Sequence, residues 1–90
     1  MKVIINRCFG GFHVRSDIAN SLGYGCYDAT NLRFNAELIA MIESGVDCNG
    51  WHSELVVVNI PATATDYEIE DYDGYESIIA VVDGQIRHIY

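Results

Sequence analysis

The chain has 90 residues, half of them apolar and a fifth charged, the balance of one folded domain and not of a disordered segment. Thirteen acids against five Lys and Arg give a formal net charge of −8, which repels phosphate backbones and anionic lipid and so argues against direct nucleic-acid or membrane binding. Residues 61–90 hold seven of those acids against Arg87 alone.

In chain order, "KVIIN" opens with a continuous β-favoured run, the pattern of a strand covered on both faces and central in its sheet. The loop "RCFGGFHVR" leads to Ser16, an N-cap candidate, and Asp17, a first-turn carboxylate, predicting a short helix that stops at Gly23. Residues 23–32 lack a period and read as loop. The clearest helix follows: Asn35 is the N-cap, Leu38, Ile39 and Ile42 share a face, and Gly45 is placed to end it. Phe34 and Ile39 stand at the positions of a hydrophobic staple.

"CNGWHS" reads as a turn and "ELVVVNI" as a second strand, halted by the only proline, Pro61. The remainder reads as strands joined by turns, with Asp83-Gly84 the strongest hairpin signal and Asp73-Gly74 a second one. The order is β–α–α–β–β–β–β, or one strand fewer if residues 67–70 stay irregular. The expected class is α+β, one domain over residues 1–90, with a single antiparallel or mixed sheet of four to five strands and two helices packed on one face.

No run is long enough to span a membrane, and residues 3–5 are too short for the apolar core of a signal peptide. Three cysteines, at 8, 26 and 48, are an odd number without Cys-x-x-Cys, which fits free thiols in a reducing cytoplasm.

Two stretches resemble a family of small uncharacterised proteins of bacteriophages and prophages. "MKVIINRCFGGF" is similar to the family's N-terminal Asn-x-Cys-[Phe/Tyr]-Gly-Gly-Phe motif, and "IEDYDGYE" at 69–76 to its Tyr-Asp-Gly-x-Glu motif. Between them Arg33, the helix after Asn35, Asn49-Gly50 and "LVVVNIP" have counterparts. The resemblance covers residues 1–12 and 33–76. The chain departs from the pattern at Phe34-Asn35-Ala36, where the family has Asp-Pro, in the middle loop and in the tail. What the resemblance implies is a phage-type accessory protein in the host cytoplasm, with no particular chemistry.

Several constellations carry chemical possibilities. Gly10-Gly11 sits where phosphate loops sit, between a strand and a helix, yet neither phosphate-binding spacing is present and no lysine is near. Glycines that admit positive φ or let an aromatic ring pack over the backbone explain the pair more simply. Asn6, Cys8, Gly10, Gly11 and Arg33 are the residues of a small-ligand, nucleotide or small-enzyme alternative. Cys8 and His13 have the types of a nucleophile and base, without a visible third member. The cysteine spacings do not match a zinc site, and "HSE" at 52–54 lacks the Pro-Cys-x-x-Cys of a zinc deaminase. No metal or cofactor is expected, and the balance is against an enzyme.

The most unusual stretch is 66–76. Six of its eleven residues are acidic, interleaved with Tyr67, Tyr72 and Tyr75. On a strand Asp66, Glu68 and Glu70 face one way and Tyr67 and Ile69 the other. One reading is a solvated edge whose charge blocks strand pairing. The other is a docking surface for a basic or nucleic-acid-binding surface of a host protein, formed by Asp66, Tyr67, Glu68, Glu70, Asp71, Tyr72, Asp73, Tyr75 and Glu76. The sequence thus leads to an inhibitor-like, non-enzymatic protein-binding module, with a virion or assembly component that self-associates as a further alternative.

Overall fold

A computed structural model describes residues 1–24 and 30–90; the expected loop at 23–32 and Cys26 lie partly or wholly outside them. Among the described residues seven elements follow one another: β1 (Lys2–Asn6), α1 (Ser16–Ser21), α2 (Ala36–Glu43), β2 (Leu55–Asn59), β3 (Ala64–Tyr72), β4 (Tyr75–Val82) and β5 (Gln85–His88). The fold is α+β, as the run of helices before strands predicts.

The strands form two antiparallel sheets, β1–β2 and β3–β4–β5, where one sheet was expected. The physical reason lies in the apolar runs. Period-two alternation puts Ile4, Leu55 and Val57 on one side of the β1–β2 ribbon and Val3, Ile5, Val56 and Val58 on the other. Both sides must be covered. Ala19, Leu38 and Ile39 of the helices cover the first, together with Phe12, Val14, Leu32 and Cys48. Ile78 of β4, with Ile69 and Ile89, covers the second. The continuous run in β1 therefore marks a middle layer between helices and a second sheet, and both helices lie on one face of the ribbon.

A turn after β2, in which Ala64 N–H donates to the Pro61 carbonyl at 3.0 Å, carries the chain out of the first sheet. The second sheet then packs over the ribbon, chiefly through β4, instead of extending it. The segment 67–70 is strand throughout.

Local signals act as expected at most boundaries. Asn35 caps α2, its side chain accepting from Leu38 N at 3.0 Å, and Gly45 has φ +91°. At α1 the cap differs: Arg15 is the N-cap residue, without a side-chain cap bond, and Ser16 is already helical. The side chain of Asp17 instead pairs with Arg15 at 2.8 Å. Asp73-Gly74 and Asp83-Gly84 both have two positive φ values and join Tyr72 to Tyr75 and Val82 to Gln85 as two-residue turns.

Candidate functional site

Asn6, Arg33 and Glu76 meet along the unpaired edge of β1. β1 is paired on one edge only, and its other edge is buried, so its outward main-chain groups need partners. Leu32, fully buried, pins the segment that supplies them. Ile4 N–H donates to the Arg33 carbonyl at 2.9 Å, and Arg33 Nη1 donates back to the Ile4 carbonyl at 3.1 Å. Asn6 N–H donates to Glu76 Oε1 at 2.7 Å. The same carboxylate takes both guanidinium nitrogens of Arg33, which also lies over the Phe12 ring. The Arg33–Glu76 ion pair thus closes the free edge of β1. That strand was expected to be central in its sheet but pairs, among the described residues, with β2 alone, and is instead buried by the layers on its two faces.

The Asn6 side chain extends this node. Its Nδ2 donates to the carbonyls of Cys8 and Gly74, both at 2.6 Å, and its Oδ1 accepts from Glu54 N at 2.8 Å. Gly10 N–H donates to the Asp73 carbonyl at 3.2 Å. The two loops pack so closely that a Cβ on Gly74 would collide with the backbone of Gly11. The two motif stretches, sixty residues apart in sequence, are therefore in contact. Arg7 continues the contact outward, its guanidinium 4.1 Å from the Tyr75 ring and 4.8 Å from Tyr90, while Phe9 stacks on Tyr75 at 5.1 Å.

The side-chain amide of Asn6 and the two Nη atoms of Arg33 all have partners inside the protein. Among the described residues no buried side-chain nitrogen or oxygen lacks a hydrogen-bond partner. Cys8 makes a weak contact to the Phe9 carbonyl at 3.8 Å, and His13 Nε2 lies beside Gly11. Cys48 is buried, and burial, then Asp47, pushes its thiol pKa up, which disfavours the thiolate. Asp17 is held below the usual carboxylate range by its hydrogen bond from Arg15. Among the described residues no group of three or more His, Cys, Asp and Glu is arranged to hold a metal ion.

The second region is the outer face of β3–β4–β5. Register places Asp66 opposite Val81, Glu68 opposite Ile79 and Glu70 opposite Ser77, with Val81 in turn opposite Ile86 of β5. Cross-strand partners point to the same side. A row of three exposed carboxylates on β3 therefore flanks an apolar strip of Ile79, Val81 and Ile86. Ile86 is 75% exposed. A shallow groove of about 320 Å³ runs between the row and the strip. Tyr72 continues this face and meets Phe9 edge-on at 6.4 Å; both rings are largely exposed.

The nine nominated docking residues divide. Asp66, Glu68, Glu70, Tyr72 and Tyr75 share the outer face by register, while Tyr67, Asp71 and Glu76 point to the other side. Glu76 is 3% exposed and belongs to the buried node, so it is not part of an open surface. Asp71 closes the hairpin, accepting from Gly74 N at 2.6 Å, and Asp73 is a turn residue. Sequence reasoning missed Ile79, Val81 and Ile86. Their signal was present: "SIIAVV" is apolar at both parities, so one parity had to face outward once the other was buried.

A second concavity, of about 450 Å³, lies by Trp51, which is 81% exposed, and is lined by His13, Arg15 and Asn49. Comparison with protein-family models, with curated proteins and with solved structures finds no match.

Proposed function

We propose that the protein is a small acidic accessory protein of phage type that acts without catalysis, binding a basic or nucleic-acid-binding surface of a host protein through the outer face of β3–β4–β5. The observation that carries this reading is the row of exposed acids Asp66, Glu68, Glu70 set beside an apolar strip in which Ile79 and Val81 are half-buried and Ile86 is exposed. Charges alone steer encounter and set specificity, while a desolvated apolar centre supplies affinity; this face combines the two. A row of acids serving only to block edge pairing needs no apolar strip alongside it. The phage-type origin rests on the resemblance of the two motif stretches.

The ligand site at the first strand–helix junction is the less supported reading, because Asn6 and Arg33 spend their polar atoms on the protein itself. The test is affinity capture from bacterial host extract at low and high salt, with the protein and with its Asp66→Asn/Glu68→Gln/Glu70→Gln variant. A partner that is retained at low salt, released at high salt and missed by the variant is the expected result. Capture that ignores both salt and the variant, or no capture, overturns the reading.

A further inference from the structure

We propose that the occupant of this face is a basic amphipathic α-helix lying along β3. The inference rests on the binding reading above and specifies the form of the partner.

The spacing of the acids carries it. Asp66, Glu68 and Glu70 project from alternate residues of one strand, so their origins repeat every ~7 Å and span about 14 Å. Along a helix, positions i, i+4 and i+8 repeat every ~6 Å and span about 12 Å on nearly one face. Lys and Arg stems are long enough to absorb that difference. A helix with basic residues at these positions can engage all three carboxylates at once. Its neighbouring apolar positions then lie over Ile79, Val81 and Ile86, which run parallel to the acid row on the adjacent strands.

Other occupants fit the same face less well. A second copy of the chain would set one acid row against another, and like charges in apposition are unfavourable. Nucleic acid and anionic lipid meet the same repulsion. An extended strand added to the β3 edge would send alternate side chains to the two sides of the sheet, and only one side carries the acid row.

Three synthetic peptides of identical Lys/Leu composition test the proposal: one patterned as an amphipathic helix with Lys at i, i+4 and i+8, one alternating Lys and Leu, one with Lys distributed all round. Binding is read by fluorescence anisotropy at low and high salt, and helix content by far-UV circular dichroism. The helix-patterned peptide is expected to bind tightest and to gain helicity on binding. Its affinity should fall about tenfold or more with Asp66→Asn/Glu68→Gln/Glu70→Gln. Ile86→Ser should weaken it about fivefold or more while leaving its salt dependence unchanged.

Equal or tighter binding of the alternating peptide overturns the helix, while the acidic-face reading stands if that binding still needs the three acids. Binding unaffected by the triple variant overturns both. Failure of every peptide to bind overturns the helix alone if a salt-sensitive host partner is still captured. Sedimentation showing self-association that Ile86→Ser abolishes would assign the face to a second copy and overturn the proposal.

Discussion

Glu70 and Glu76 sit six residues apart on one hairpin and carry the same functional group, yet they have opposite fates. Glu70 faces solvent opposite Ser77; Glu76 is buried opposite Asp71, against Arg33 and Asn6. The two-residue turn at Asp73-Gly74 sets this difference by fixing which parity of β4 points inward. A slip of one residue would bury Ser77 and expose Ile78 and Ala80. The contrast teaches that an acidic run is not one feature. Its members divide between a device that holds the molecule together and a surface left free for a partner.

The largest effect that tests this division belongs to Glu76. Glu76→Gln leaves the Arg33 guanidinium buried without its counter-charge, and stability should fall by about 3–5 kcal/mol. For a domain whose total stability is about 5–15 kcal/mol, that is a large fraction, read as a drop in the urea midpoint. Many buried ion pairs can be replaced by apolar residues without loss. Here the Arg33→Met/Glu76→Leu double variant should not recover wild-type stability. It orphans the Ile4 carbonyl and the Asn6 N–H, each worth about 1–3 kcal/mol when left unpaired. A double variant as stable as wild type would show that the node is only an ion pair.

The two turn glycines give a matched pair. Both have positive φ, so Ala at either carries the left-handed strain of about 1–2 kcal/mol. Gly84 has open space around it, whereas Gly74 meets the backbone of Gly11. Gly74→Ala should therefore lose clearly more stability than Gly84→Ala, by about 2 kcal/mol or more of added strain. Equal losses in thermal unfolding would contradict the close contact of the two motif stretches.

On the free face, neutralising Asp66, Glu68 and Glu70 should change stability by no more than about 0.5 kcal/mol each, since these side chains are exposed. A large loss in the same urea titration would mean that the row is structural.

The smallest effect lies in the helix-side core. Burial raises the Cys48 thiol pKa, so the native state favours the neutral thiol. Its contribution is complete below the ordinary thiol range and is lost as pH rises from there through the raised native value, because the unfolded chain ionises first. Unfolding followed from pH 7 upward should show that decline, and Cys48→Ala should flatten it. Native Cys48 should also resist alkylation until the protein is unfolded.

Much of the fold was legible locally. Asn35 announced its helix, the two Asp-Gly turns their hairpins, and "KVIIN" a strand covered on both faces. Those signals act through neighbours a few residues away, or through a count of apolar faces. Ser16 failed as a cap because Arg15 and Asp17 pair with each other at the helix start. The single expected sheet failed because two-sided burial can be met by stacking as well as by adding strands.

What the sequence determined by itself is the set of elements, the hairpin registers and the acidity of the third strand. Tertiary structure alone decided which acids point outward, which apolar residues lie beside them, and that Asn6, Arg33 and Glu76 meet across seventy residues of chain. Alternation along a strand says that two faces differ. Only the layer packed against the strand says which of them is the inside.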